Sequence, residues 1–297
     1  MAFSRRNFLK TTGTAAFAAL ALPHLAEAAK LKSIGIQLYT LRDVIEKDTK
    51  NVLSLLAKAG YMELEAYGID RGTFFGTPAS DFKKMVSDLG MKTVGSHAMP
   101  AVQFDKNPKD GLDAVVPGWK KSVEIAKEAG LTYITFPYWV DQNRKTADDF
   151  KKSAAIMNLL GEYAAQQGLK FTYHNHDFEF KPVEGTSFYD VLLKETDPKF
   201  VNFEMDLFWV VAAGKNPADY FAKHPGRFHQ FHIKDMDKTD KLKNTEVGKG
   251  SIDFAKILKL APKAGAKHFF VEQENGYSPD SATSAKLSAG FLKKLNY

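Results

Sequence analysis

From residue 30 onward one unit recurs along this chain: a short apolar run, a polar loop, an amphipathic helical pattern, and then a glycine. The punctuating pairs are Ala59-Gly60, Leu89-Gly90, Ala129-Gly130, Gln167-Gly168 and Ala264-Gly265. Each ends a helical pattern just before an apolar run, where a glycine can take the left-handed conformation that stops a helix. The strand-like runs are Ser33–Leu38, Met62–Ala66, Lys92–Ser96, Tyr133–Phe136, Lys170–His174, Val201–Asp206, Phe228–Ile233 and His268–Glu272. Their starts lie roughly 30 to 40 residues apart, enough for a crossover helix between parallel neighbours. Eight such units with no linker between them read as an α/β fold, a single (β/α)8 barrel of the TIM-barrel class. The rival, an open doubly wound sheet, would put a glycine-rich phosphate turn after its first strand. Gln37-Leu38-Tyr39-Thr40-Leu41-Arg42 stands there instead.

In such a barrel, chemistry gathers at the C-terminal ends of the strands. The last four strand candidates each end on a residue that can bind a divalent metal: His174, Asp206, His232 and Glu272. A lone histidine at a strand end is more often a hydrogen-bonded loop residue, and a lone carboxylate more often a helix cap. Four in succession are much harder to reach by chance. Two imidazoles and two carboxylates suit Mn2+, Co2+, Fe2+ or Zn2+ better than Ca2+ or copper. The chain has no cysteine, which excludes disulfides, thiolate metal sites and a cysteine nucleophile. His174 and His176 share strand parity, so either can point inward. His174 is assigned as the ligand, and His176 as a substrate or supporting group. The formal charge of +6 comes from basic residues spread through the helices, without the dense run of a nucleic-acid tail.

The N-terminus reads separately. Ser4-Arg5-Arg6-Asn7-Phe8-Leu9-Lys10, a mild apolar stretch from Thr11 to Leu22 and the small-x-small site Ala26-Glu27-Ala28 resemble a twin-arginine export signal. The apolar stretch is too short to span a bilayer stably. The expected division is a signal peptide over residues 1–28 and a barrel over 29–297. The resemblance implies a periplasmic protein, exported folded with its metal loaded beforehand and free of the membrane after cleavage.

The body of the chain resembles the xylose isomerase-like TIM-barrel superfamily, the sugar phosphate isomerases/epimerases and inosose dehydratases. The likeness is carried by Gly60-Tyr61-Met62-Glu63-Leu64-Glu65, Tyr173-His174-Asn175-His176-Asp177-Phe178-Glu179, Met205-Asp206-Leu207-Phe208-Trp209, His232-Ile233-Lys234-Asp235, Gly248-Lys249-Gly250 and Val271-Glu272. It implies a divalent metal, Mn2+ foremost, held by one ligand from each of the last four strands, and a sugar or keto-sugar as substrate. It also implies a role for Glu272 as proton-abstracting base as well as ligand. Two positions depart from the ketose epimerases of that family. Their fifth-strand ligand is a glutamate where His174 stands, and they carry a histidine where Trp209 stands.

The expected function is a metal-dependent isomerase or epimerase working through an enediolate. The alternatives are a lyase that loses a β-substituent from a keto-sugar, cyclitol or 3-keto-glycoside, and a periplasmic sugar-binding barrel without chemistry. His176 and Lys234 are the further catalytic candidates; Lys234 shares parity with His232, so it should face the mouth and could bind an oxyanion. Glu65, His97, Trp209 and Glu179 are the candidate substrate contacts. Aromatic residues at the strand ends, among them Tyr39, Tyr138 and Trp209, could stack on a sugar face, although core packing or a homo-oligomer contact is the commoner role for any one of them.

Overall fold

The structure is a computed structural model that describes residues 29–297. The expected leader lies outside the described residues. Eight parallel strands close into a barrel: β1 Gly35–Gln37, β2 Glu63–Tyr67, β3 Lys92–His97, β4 Tyr133–Phe136, β5 Lys170–His174, β6 Val201–Asp206, β7 Phe228–Ile233 and β8 His268–Val271. Each strand pairs with its neighbours in chain order, and Gly35 opposite Phe270 closes the ring between β1 and β8. The (β/α)8 barrel expected from the sequence is therefore the fold.

Strand boundaries move by a few residues where local chemistry intervenes. The first run stops at Gln37, because the Tyr39 N–H donates to Gln37 Oε1 at 2.9 Å and turns Leu38–Leu41 into a single tight helical turn. Glu272 falls just past the end of β8. Helices pack outside the strands, the longest over Ala147–Gln166, begun by Thr146 in a capping box with Asp149. The expected glycine stops are present, as at Gly60 (φ 92°), whose N–H caps the helix Thr49–Ala59. Among the described residues no helix is long and apolar enough to cross a membrane.

The large apolar core lies between the strands and the outer helices. The inside of the barrel is different. A small cluster of Val94, Tyr133 and Phe270 plugs it. Further toward the C-terminal mouth, the interior positions are polar and fully buried: Gln37, Glu65, Thr135, Thr172, Glu204 and Gln230. Gly95 makes room among them, since a Cβ there would lie 3.3 Å from Tyr133 and 3.5 Å from Gln230. The metal-ligand candidates sit on top of a hydrogen-bonded floor rather than on a greasy one.

Candidate metal centre

His174, Asp206, His232 and Glu272 converge at the C-terminal mouth, each offering one ligand atom within 4.8 Å of all the others. Period-two geometry explains this. The side chains of Asn202, Glu204 and Asp206 on β6 all share one parity, as do those of Gln230 and His232 on β7 and of Lys234 just past its end, so each strand sends its last inward residue to the rim.

The donor atoms fit a cation. His174 Nδ1 lies 3.1 Å from the Pro137 carbonyl oxygen, which can only accept, so Nδ1 carries the proton. Nε2 is then a bare lone pair. It is buried, has no hydrogen-bond partner among the described residues, and lies 3.6 Å from Asp206 Oδ2. Two acceptors facing each other at that distance repel unless a positive charge sits between them. Asp206 is oriented for the purpose: its Oδ1 caps the helix Leu207–Ala212 by accepting from the Phe208 and Trp209 N–H groups, which turns Oδ2 to the cluster. His232 presents Nδ1 to Glu272 Oε2 at 3.0 Å and directs Nε2 down to Glu65 Oε2 at 2.8 Å. A carboxylate behind a ligating histidine fixes the ring and raises its basicity.

A second group, Glu65, His97, Glu204 and His232, is equally compact. Its short contacts are already spanned by protons. His97 Nε2 lies 2.9 Å from Glu204 Oε2, and Gln37 Nε2 donates to Glu65 Oε2 at 2.8 Å. Burial alone would lower the His97 pKa, but Glu65 and Glu204 outweigh it and bring it up to about 10. Burial would likewise raise Glu204, yet His232 and His97 hold it well below the usual carboxylate range. The group is a charged hydrogen-bond network that braces His232 from below.

Lys234 is where burial matters most. Its side chain is fully buried, with Nζ 3.4 Å from Asp206 Oδ2, 3.2 Å from Glu272 Oε2 and 2.6 Å from Glu274 Oε1. Burial by itself would lower its pKa; Glu272, Asp206 and Glu274 outweigh that and raise it above the ordinary lysine value. The ammonium ion stays charged and neutralises the carboxylates around it. The neighbouring Asp235 is engaged elsewhere: it accepts backbone N–H groups of Met236, Gly248, Gly250 and Ile252, which pins the Gly248-Lys249-Gly250 loop.

The site opens into a cavity of about 370 Å³ whose lining includes His97, His174, His176, Glu272 and Glu274. Both side-chain hydrogen bonds of Glu272 run to Oε2, which leaves Oε1 free among the described residues. Burial, helped by His174 and Lys234, holds the His176 pKa well below its ordinary value, so this imidazole is neutral. The other expected contacts lie behind the cavity wall. Glu65 is in the network that braces His232. Trp209 packs its ring 5.7 Å from that of His176 and 4.9 Å from Lys234 Nζ. Glu179 is fully buried and accepts from the Tyr173 hydroxyl and the His176 N–H, both at 2.8 Å, so it positions His176.

Glu179 also carries a pH signature. Burial pushes its carboxyl up to about 7, above the 4.5 of a free glutamate, and the two donors only partly offset this. The fold therefore favours the protonated form. Its contribution to stability is complete below pH 4.5 and is lost as pH rises through about 7. Glu179→Gln mimics the protonated form at every pH. Urea unfolding should show wild type losing up to about 3 kcal/mol relative to the variant between pH 4.5 and 8; parallel curves would remove Glu179 as a titrating group.

The sequence reading missed Glu204 and Glu274. Each was signalled by parity, lying two residues from Asp206 and Glu272 respectively.

The chain is 32% identical over 120 residues to inosose dehydratase of Clostridium botulinum and 28% identical over 131 residues to that of Geobacillus thermodenitrificans. These matches cover 35% and 39% of the chain, and only 40% and 43% of the relatives' own length. A crystal structure of a sugar phosphate isomerase/epimerase from Parabacteroides distasonis is 32% identical and superposes with a TM-score of 0.78, covering 90% of this chain and 95% of that one. The profile of the Xylose isomerase-like TIM barrel family matches residues 53–295, and the chain belongs to that family.

Proposed function

We propose that this protein is a metal-dependent lyase, which removes the proton α to the carbonyl of a keto-sugar or cyclitol and expels a β-oxygen substituent. The observation that carries the reading is the placing of acid–base groups around the cavity. Glu272 and Glu274 both come from the end of β8, while the β5 side offers only the imidazoles of His174 and His176. Elimination can run with carboxylates on one side. Glu272 Oε1 takes the α-proton, the C=C bond forms as the C–O bond breaks, and the departing oxygen receives a proton from that same side. Similarity to inosose dehydratases supports the same choice.

His174, Asp206, His232 and Glu272 would hold the metal, for which Mn2+ is our first choice and Co2+, Fe2+ or Zn2+ are chemically equivalent fits. A divalent ion bound there supplies Lewis-acid polarisation of the substrate carbonyl. Lys234 keeps Glu272 ionised, and Glu65 with Glu204 holds the His232 ring in place. His176, neutral and facing the cavity from β5, favours a second reading, isomerisation or epimerisation with proton return on the opposite face. This order reverses the one expected from sequence.

Proton NMR of the metal-loaded protein in D2O, with keto-sugars, inososes and 3-keto-glycosides, separates the outcomes. Elimination gives an unsaturated product. Deuterium uptake without new species supports the isomerase instead, and neither result across the panel would sink both.

A further inference from the structure

The cavity over the metal ligands does not end at its own wall. A second cavity of about 280 Å³ adjoins it, and Tyr67, Gly68 and Arg71 line both. An aromatic track leads from one to the other: Tyr39 meets Tyr67 edge-on at 5.1 Å, and Tyr67 meets Phe75 at 5.1 Å. Each edge-to-face contact covers at most one face of a ring, and Tyr67 and Phe75 are only half-buried, so each can offer aromatic surface on which the C–H face of a pyranose stacks. At the rim Arg71 and Glu46 form an exposed ion pair at 3.3 Å. The pair offers donors and acceptors together with no net charge, so it suits vicinal hydroxyls and opposes a phosphate.

A tight turn walls the second cavity and holds Phe75 in it. Phe75 has φ +53°, the left-handed region that a bulky side chain avoids. The turn that holds it is locked by the reciprocal hydrogen bonds Phe74 N–H to Thr77 O and Thr77 N–H to Phe74 O, both 2.8 Å. A glycine would fit that conformation without strain, and Gly76 follows directly. The same turn recurs at Glu184-Gly185 (φ +50° and +82°), so the positive φ follows from the two-residue turn, which fixes where the Phe75 ring stands.

We propose that the mouth accepts a two-ring substrate, a neutral glycoside, with the oxidised ring over the metal ligands and the second sugar in the adjoining cavity on Tyr67 and Phe75. The inference rests on the lyase reading above and gives it a leaving group. The α C–H proton goes to Glu272, the C=C bond forms, the glycosidic C–O bond breaks with its electron pair, and the oxygen takes a proton to leave as the free second sugar. No oxidant or reductant is consumed.

The test compares 3-keto-glucose with 3-keto-lactose and 3-keto-maltose on the metal-loaded protein, reading KM where there is turnover and Kd by calorimetry where there is none. The expected result is a preference of at least about tenfold for a two-ring probe, the scale of one stacked ring. That preference should collapse toward unity in Phe75→Gly, which relieves the backbone strain as it removes the ring. The double variant Glu46→Gln/Arg71→Gln, on exposed side chains, should reduce it as well, and it carries the test if Phe75→Gly folds poorly. Equal values for one and two rings in wild type, or a preference that survives both variants, overturns the second subsite alone and leaves the lyase reading to its own test. Failure to bind or turn over any of the probes overturns the subsite and the keto-sugar reading together.

Discussion

Glu272→Gln should lower kcat for the proposed elimination by about 10²- to 10⁴-fold at saturating metal, the usual worth of a positioned general base. The amide keeps the shape of the carboxylate and can still present an oxygen to His232 Nδ1 and Lys234 Nζ, which lie 3.0 and 3.2 Å from Oε2. It cannot accept a proton from carbon. Exchange of the substrate α-proton into D2O should therefore vanish in step with product formation. Metal content has to be measured alongside, because the same side chain is a ligand candidate and the variant is expected to bind metal more weakly. A variant that still exchanges the α-proton but forms no product would move the base elsewhere, with Glu274 the first place to look. Burial tends to raise the Glu272 pKa, and Lys234 and His232 reverse this and hold it well below the ordinary carboxylate range. The carboxylate is thus ionised and ready, and its modest basicity is matched to a C–H made acidic by the polarised carbonyl.

The largest effect on stability is expected from Lys234→Met. Removing a buried cation leaves Asp206, Glu272 and Glu274 facing one another without compensation, and stripping one partner from a buried charge cluster costs about 3–5 kcal/mol. For a chain of this size that corresponds to a fall in Tm of about 10 °C. The sign of the metal response is the more telling part. A divalent cation restores positive charge between Asp206 and Glu272, so saturating Mn2+ should recover much of the loss. Thermal unfolding with and without Mn2+ should accordingly show a larger metal-induced rise in Tm for the variant than for wild type. An identical rise in both would mean that Lys234 and the metal do not share these carboxylates. Activity should fall too, because Glu272 loses the neighbour that keeps it ionised.

Much of this molecule was legible in one dimension because its signals are local. Glycine stops and short apolar runs are set by backbone conformation within a few residues, and they located all eight strands with errors of a residue or two at the ends. Parity then placed His174, Asp206, His232 and Glu272 on inward positions at one end, because neighbouring strands in a parallel barrel run the same way.

The sequence by itself determined the barrel and the four residues its last strands bring to the mouth, since period, punctuation and parity belong to the chain. Only the tertiary structure decided what surrounds them. Glu65 comes from β2, His97 from β3, Glu204 from β6 and His232 from β7, and no local pattern says that they meet around His232, one of the four metal-ligand candidates. Depth was equally invisible. Parity sends Lys234 inward but cannot say whether it reaches the open mouth or a buried position among three carboxylates. Closing the barrel brings those carboxylates within 3.4 Å of its ammonium and excludes the water that would otherwise solvate it. The lysine read from sequence as an oxyanion-binding candidate lies buried as the counter-ion of Asp206, Glu272 and Glu274.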